Sequence, residues 1–268
     1  TIKQQDKPFK FVISIILIRL KISQYFSFNH QHHILKFYPS YLSRILWVDS
    51  SHGHSGSEVE NFVWTYLKTD DTFLDIGANI GTVTLEASKK IGNDGKVFSF
   101  EPTLKIFEFL KGNVQHNNCK NVKLYDLALG EKSSEIYFSN NFADEANSIQ
   151  YEKKGTLVQM KTLDEIIPSN LKIDLMKIDV AGYEKFVFIG AEKTLKNTAC
   201  IHFPAIETFY KKYGYTYKDV FNILKNQNFL IYQILSDKSI KLLDADYHPK
   251  IGDYIAIKNL DQFLKRYN

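Results

Sequence analysis

Residues 73–81, which read Phe-Leu-Asp-Ile-Gly-Ala-Asn-Ile-Gly, constrain the fold of this chain more than any other segment. A short apolar run ends at Asp75, a turn bounded by Gly77 and Gly81 follows, and a helical pattern begins at Thr82. Glycine permits positive φ and close approach of a ligand, and a helix N-terminus presents free N–H groups. The segment therefore predicts a strand, turn and helix that hold a nucleoside-bearing cofactor. Its Asp-x-Gly-x-x-x-Gly spacing lacks the dinucleotide pattern Gly-x-Gly-x-x-Gly and favours S-adenosylmethionine (SAM) over NAD.

Strand and helix patterns alternate along the rest of the chain. Strand patterns cover residues 72–75, 96–100, 122–125, 173–178 and 199–203, helical patterns cover 82–91, 104–115, 183–196 and 217–226, and closing strands cover 229–235 and 254–258. This alternation predicts an α/β, Rossmann-like fold, with a mostly parallel sheet covered by helices on both faces.

We expect two parts in the chain. Residues 1–54 form an N-terminal extension that packs on the core, and residues 55–268 form the main domain. Residues 131–162 interrupt the alternation and contain two strand patterns. We expect a hairpin-like insertion there, on the side of the sheet where ligands bind.

The composition is that of a soluble globular protein, with 44% hydrophobic and 24% charged residues among 268. The net charge of +4 is spread along the chain, so no nucleic-acid partner is expected. The two cysteines, Cys119 and Cys200, suggest neither a disulfide framework nor a metal site, which favours the cytoplasm. His52 and His54 lack further ligands at metal spacing, so no metal is expected.

Residues 9–20 are the most apolar stretch but fall short of the ~20 residues that span a membrane. We expect a buried strand or helix on the core, and the alternation over residues 18–23 favours a strand. The alternative is peripheral contact of residues 9–20 with a membrane.

Acidic residues follow two of the predicted strands. Glu101 lies 26 residues after Asp75, where a carboxylate can accept hydrogen bonds from ribose hydroxyls. Asp179 ends the fourth strand, where it can bind the methionine amino group, face a substrate hydroxyl or cap the next helix.

Three further residues are candidates for catalysis. Glu184 is either a dipole partner in the first helical turn or a carboxylate of the site. Glu207 follows the fifth strand and could face the pocket. His202 is a candidate base, although a single histidine in a strand is more often packed and hydrogen-bonded.

Residues 58–259 resemble the FkbM family of SAM-dependent methyltransferases. The resemblance rests on residues 73–81, on Phe-Ser-Phe-Glu-Pro at 98–102, Leu-Ala-Leu-Gly at 127–130, Lys-Thr-Leu-Asp at 161–164, Met-Lys-Ile-Asp-Val-Ala-Gly-Tyr-Glu at 176–184, Glu207 and Tyr-Ile-Ala-Ile at 254–257. It implies a seven-stranded class I methyltransferase sheet and O-methylation of a glycan or a hydroxylated small molecule.

The resemblance also assigns cofactor contacts. It places Asp75, Gly77, Ala78, Asn79 and Gly81 at the methionine part of SAM, Glu101 and Pro102 at the ribose, Asp126, Leu127 and Ala128 near the adenine, and Asp179 at the reacting centre. This chain has Ala181 where the family usually has Glu.

The leading hypothesis is methyl transfer from SAM to a hydroxyl, with Asp179 as the first candidate for the base, followed by Glu207 and His202 and then Glu184. One alternative is an oxidoreductase linked to NAD(P). Another is a SAM- or glycan-binding protein without catalytic activity, which the alanine at position 181 makes conceivable.

Overall fold

A computed structural model describes residues 7–49, 57–139, 149–150, 155–235, 239–243 and 252–267. The α-helices are Pro8–Arg19 (α1), Tyr41–Asp49 (α2), Glu58–Tyr66 (α3), Thr82–Ile91 (α4), Leu104–His116 (α5), Leu163–Ile166 (α6), Glu184–Ile189 (α7), Glu192–Lys196 (α8), Glu207–Lys212 (α9), Tyr217–Asn226 (α10) and Leu260–Tyr267 (α11). The strands are Ser27–His30 (β1), His33–Lys36 (β2), Thr72–Ile76 (β3), Lys96–Phe100 (β4), Val122–Tyr125 (β5), Ala128–Leu129 (β6), Ser134–Phe138 (β7), Ile149–Gln150 (β8), Thr156–Lys161 (β9), Ile173–Ile178 (β10), Thr198–Ala205 (β11), Leu230–Ile234 (β12), Ile240–Leu242 (β13) and Gly252–Ile257 (β14).

The central sheet has the strand order β13-β12-β14-β11-β10-β3-β4-β5. Strands β11, β10, β3, β4 and β5 are parallel to their neighbours in this order. Strand β14 runs antiparallel to both β11 and β12. The Rossmann-like α/β prediction is confirmed. The described sheet has eight strands where seven were expected, because the short strand β13 pairs with the edge of β12.

Strands β3 and β10 occupy the middle of this sheet and are buried along their whole length. Successive side chains of a strand point to opposite faces. Phe73 and Leu175 therefore pack into one apolar cluster, and Leu74 and Met176 pack into another on the opposite face. Apolar side chains on both faces are what a parallel sheet between two helix layers requires.

The 131–162 region contributes to a second sheet with the order β6-β9-β7-β8. Its two expected strands are present as β7 and β9, which pair antiparallel. Residues 140–148 and 151–154 lie outside the described part of the chain.

The helix expected over residues 183–196 is divided into α7 and α8. A Cβ on Gly190 would lie 2.0 Å from the carbonyl oxygen of Gly130, so the two chain segments approach too closely there for any side chain. The Asp164 carboxylate accepts hydrogen bonds from the N–H groups of Lys193 and Thr194, both at 2.8 Å, and so caps the first turn of α8.

The prediction of a strand in residues 18–23 is wrong. Residues 8–19 form α1, which packs on α2, and a 3₁₀ turn at Ser23–Tyr25 follows. Because α1 is apolar on most of its surface, short stretches of its sequence show no clear period. Every helix in the described ranges is too short or too polar to span a bilayer.

The hairpin of β1 and β2 attaches to the main domain through histidine–glutamate pairs. His30 Nε2 lies 2.9 Å from Glu60 Oε1, and His32 Nδ1 and His33 Nδ1 lie 2.8 and 2.9 Å from the Glu86 carboxylate. Burial alone would raise the pKa of both glutamates, but hydrogen bonds from the histidines and neighbouring groups outweigh it and hold each pKa below its ordinary value. Both carboxylates are therefore charged anchors for the hairpin.

Candidate active site

A cavity of about 300 Å³ opens at the carboxyl ends of β3, β4 and β10. In open α/β sheets this is the edge at which ligands bind. The cavity wall includes residues from the loops after these three strands, from the second sheet and from α2. The 131–162 region contributes Phe138, at the end of β7, to this wall.

The loop after β3 forms the floor of the cavity. Gly77 has φ +76°, and a Cβ at this position would lie 1.9 Å from the carbonyl oxygen of Asp179. The N–H groups of Gly77 and Ala78 both donate to the carbonyl oxygen of Phe100, at 3.1 and 2.9 Å. The sequence needs glycine at position 77 because three strand ends meet there without room for a side chain. Gly81, with φ +94°, ends the loop as the N-cap of α4.

Glu101 is buried at the end of β4 and lines the cavity. Its carboxylate accepts hydrogen bonds from the N–H groups of Asn79, at 3.1 Å, and Thr103, at 2.9 Å. Burial raises the pKa of Glu101 to about 7, although these backbone hydrogen bonds act in the opposite direction. The remaining lone pairs of its oxygens suit the two hydroxyls of a ribose.

Asp75 lies behind the loop rather than in the cavity wall. It is fully buried; its Oδ2 accepts a hydrogen bond of 2.6 Å from Thr84 Oγ1, and its Oδ1 lies 3.2 Å from Lys177 Nζ. In this position Asp75 orients the loop and the start of α4. The structure gives it no direct surface on the cavity.

Lys177 is a cavity residue that the sequence reasoning missed. Its Nζ donates to the carbonyl oxygen of Gly77 at 2.6 Å. Burial would lower its pKa, but Asp75 and Asp179 outweigh that effect and raise it, so Lys177 is charged. The available signal was a lysine in a strand, β10, whose other side chains are mostly apolar.

The loop after β10 forms the opposite wall. Asp179 is exposed to solvent and lines the cavity, and its backbone N–H donates to the carbonyl oxygen of Ile76 at 3.0 Å. Val180, Ala181 and Tyr183 line the same side. Ala181 adopts φ 51°, a left-handed conformation that costs energy for any residue with a Cβ.

Glu184 supports this loop from below and does not line the cavity. Its Oε1 accepts hydrogen bonds from the N–H groups of Val180, at 3.1 Å, and Gly182, at 3.4 Å. Burial raises the pKa of Glu184 to about 7. Its position fits a role in holding the turn.

The other catalytic candidates also lie outside the cavity wall. His202 lies beside Lys177 in the sheet and packs 5.2 Å from the ring of Phe62, and burial lowers its pKa to about 4. Glu207 begins α9 and accepts a hydrogen bond of 3.1 Å from the N–H of Tyr217.

The residues that the resemblance places near the ribose and the adenine lie partly in the cavity wall and partly outside it. Leu127 and Ala128 line the cavity, as does Pro102 beside Glu101, whereas Asp126 is exposed and outside the wall. Leu42 and Leu46 of α2 and Glu60 of α3 also line the cavity. These three were not predicted from the sequence, because their approach to the site depends on how the N-terminal segment packs.

The residues present fit SAM. A backbone cradle with no space for a Cβ, a buried carboxylate with free acceptor capacity and an apolar wall are what a nucleoside with a charged amino-acid tail requires. The site is thus that of a nucleoside-cofactor enzyme built on a doubly wound sheet.

The sequence model of the methyltransferase FkbM domain matches residues 75–231. The match spans more than half of the chain, which therefore belongs to the FkbM methyltransferase family. Its cofactor is SAM. No curated protein matches the sequence.

Solved structures similar to this chain include three methyltransferases. A SAM-dependent O-methyltransferase from Thermotoga maritima is 11% identical, with 88% of this chain and 86% of that chain covered and a TM-score of 0.43. A SAM-dependent methyltransferase from Aquifex aeolicus is 13% identical, with 74% and 87% covered and a TM-score of 0.43. An rRNA methylase from Streptococcus thermophilus is 11% identical, with 74% and 90% covered and a TM-score of 0.42.

Proposed function

We propose that this protein is an O-methyltransferase whose acceptor is the hydroxyl of a sugar, a glycan or another hydroxylated small molecule. The observation that carries the proposal is the position of Asp179. Among the four catalytic candidates, only Asp179 lines the cavity, and its backbone carbonyl oxygen lies against Gly77 in the cofactor loop.

The chemistry requires alignment and removal of a proton. When bound, SAM supplies an activated methyl group on its sulfonium sulfur. The acceptor oxygen must be held in line with that group, and such positioning contributes ~7–11 kcal/mol in favourable cases. An alcohol is a poor nucleophile until its proton leaves, and a well-placed base contributes about 10²–10⁴-fold. Asp179 can accept a hydrogen bond from the acceptor hydroxyl and take its proton as the carbon–oxygen bond forms.

The remaining candidates fit this role less well. His202 has its pKa lowered to about 4 by burial, so it is a weak base, and it lies outside the cavity wall. Glu184 uses one carboxylate oxygen to hold the loop of Val180 and Gly182. Glu207 accepts a hydrogen bond at the start of α10 and also lies outside the wall.

The nature of the wall supports a sugar acceptor. Tyr183 and Phe138 both line the cavity, on the loop after β10 and at the end of β7. Aromatic rings that share a cavity with a carboxylate suit a sugar ring, which offers an apolar C–H face to the rings and hydroxyls to the acid.

The test combines SAM binding with turnover in the Asp179→Asn variant. We expect calorimetry to show SAM affinity within a few-fold of the unchanged protein. We expect release of S-adenosylhomocysteine on a panel of sugars and glycans to fall by about 10²–10⁴-fold. Glu207→Gln serves as the matched control, since it removes a candidate carboxylate that lies outside the cavity, and it should keep most of the activity.

Two results would contradict the proposal. Full turnover by Asp179→Asn would exclude Asp179 as the base. Tight SAM binding without turnover on any hydroxylated acceptor would favour a SAM-binding protein without catalysis, a reading that rests on Ala181 standing where the family usually has Glu.

A further inference from the structure

Helix α1 is apolar on two opposite faces. One face packs on α2: Ser14 is fully buried, and the guanidinium of Arg44 lies 5.1 Å from the ring centroid of Phe11. A surface helix normally presents polar residues on the face opposite its buried stripe. The outer face of α1 does not follow this rule.

The outer face carries an apolar stripe formed by Phe9, Ile13, Ile16 and Leu20. Their spacing of four, three and four residues places them on one side of the helix. Phe9 is 80% exposed, Ile16 49% and Leu20 61%. The apolar surface continues into the following turn, where Ile22, Tyr25 and Phe26 are also exposed.

The charge of the segment that carries this stripe is mostly positive. Residues 7–49 contain six basic side chains and one acidic side chain, Asp49, whereas the whole chain has 34 basic and 30 acidic residues. The positive excess of the chain is therefore supplied by this segment. Arg19 and Lys21 are exposed where the helix ends, at the edge of the apolar stripe.

The length of α1 suits a helix that lies on the surface of a bilayer and not one that spans it. Its 12 residues extend about 18 Å at ~1.5 Å per residue, well short of the ~30 Å hydrocarbon layer. A short helix with an exposed apolar stripe and basic flanks suits the interface of a bilayer that carries negative charge.

We propose that α1 and the turn through Phe26 bind the surface of an anionic lipid bilayer. The stripe inserts at the boundary of headgroups and acyl chains while Arg19 and Lys21 contact lipid phosphates. Because α1 packs on α2, whose Leu42 and Leu46 line the cavity, one helix layer separates the lipid contact from the active site.

Co-sedimentation of the full chain with vesicles tests this proposal without any measurement of activity. The vesicles are pure phosphatidylcholine, or phosphatidylcholine with roughly a third phosphatidylserine. We expect sedimentation with the anionic vesicles only, and loss of it in high salt, since surface attraction is screened.

The variants assign the effect to α1. Ile16→Asn and the charge reversal Arg19→Glu/Lys21→Glu should each lower the partition coefficient at least about tenfold. Ile189→Asn is the matched control, because Ile189 is 44% exposed and lies at the end of α7. Circular dichroism of every variant confirms that it is folded.

Three results would overturn the proposal. The chain could fail to sediment with anionic vesicles. Sedimentation could persist equally in Ile16→Asn and Ile189→Asn. The chain alone could form a dimer by light scattering that Ile16→Asn converts to a monomer, in which case a second copy covers the stripe.

Discussion

The cofactor loop and the N-terminal segment form adjoining walls of one cavity, but they are held by different kinds of contact. Residues 77–81 are fixed by backbone contacts with the neighbouring strand ends, such as the hydrogen bonds to Phe100. Residues 7–49 are fixed by side chains, above all by the histidine pairs with Glu60 and Glu86. A wall made of backbone tolerates no added atoms, whereas a wall attached by side chains can be released by removing one charged group.

The largest expected effect is that of Gly77→Ala. The added Cβ would overlap the carbonyl oxygen of Asp179 at 1.9 Å, and the left-handed φ adds strain. We expect SAM affinity by calorimetry to fall more than about a hundredfold, which is over ~2.7 kcal/mol of binding free energy.

Gly214→Ala is the matched control for this change. Gly214 has φ +74°, close to the +76° of Gly77, but nothing lies within 4 Å of a Cβ placed there. It should cost only the conformational strain of roughly 1–2 kcal/mol in stability and leave SAM binding unchanged. Equal loss of affinity in both variants would show that strain, and not close approach, governs position 77.

Glu86→Ala should release the N-terminal hairpin. Glu86 is buried and pairs with both His32 and His33, so its removal leaves polar groups without their charged partner. We expect a loss of about 1–3 kcal/mol in local stability. Hydrogen exchange at residues 27–36 should accelerate while residues 173–178 stay protected.

Lys111→Gln provides the comparison, since it removes an exposed ion pair with Glu108 at 3.5 Å. Exposed pairs contribute about 0–1 kcal/mol. Unchanged exchange in the hairpin of Glu86→Ala would mean that its other contacts, such as the His30–Glu60 pair and the hydrogen bonds to Asn113 and Asn117, hold the segment without Glu86.

SAM affinity should depend on the ionisation of Glu101. Burial raises its pKa to about 7 in the free protein, and the ionised form is the better acceptor for ribose hydroxyls. Protonation therefore opposes binding, and affinity falls as the pH drops below about 7. The expected loss between pH 8 and pH 6 is about tenfold.

The Glu101→Gln variant cannot ionise at this position. It should bind SAM weakly at both pH values and show a flatter dependence. If the SAM affinity of this variant depended on pH as steeply as that of the unchanged protein, the titrating group would not be Glu101.

The smallest expected effect is that of Ala181→Gly. Ala181 has φ 51°, and glycine adopts this conformation without the steric cost of a Cβ. We expect a gain of up to about 1 kcal/mol in the free energy of unfolding, with SAM affinity retained, because the strain removed exceeds the entropy that glycine adds to the unfolded chain. Denaturant titration measures it, and a loss of stability would show that the methyl group of Ala181 packs against its surroundings.

A similar contrast, between local signals and tertiary contacts, explains which features could be predicted from the sequence. Strands such as Val122–Tyr125 and Ile173–Ile178 were predicted with their observed bounds, because apolar runs between turns are local signals. The placement of Glu101 at the cofactor loop was predictable for a related reason. Glu101 comes directly after a strand, and the residues that follow neighbouring parallel strands lie at the same edge of the sheet.

Features set by tertiary contacts escaped prediction. The sequence of α1 shows no clear helical period, because apolar residues lie on both faces of the helix. The break between α7 and α8 at Gly190 depends on Gly130, which is distant in the sequence. Lys177 reaches the cofactor loop only because β10 pairs with β3. Asp75 lies behind the loop, where Thr84 Oγ1 donates to its Oδ2 and Lys177 Nζ lies 3.2 Å from its Oδ1, and these contacts also depend on how the strands pair.

Glu60 of α3 connects the N-terminal segment to the cavity, since it lines the cavity and accepts the hydrogen bond of His30. Coupling free energies between two binding events are reciprocal. If cofactor binding makes the hairpin harder to detach, then attachment of the hairpin must strengthen cofactor binding by the same factor. A contact that displaces residues 7–49 would thereby change the fraction of the protein that has SAM bound, although the contact itself does not reach SAM.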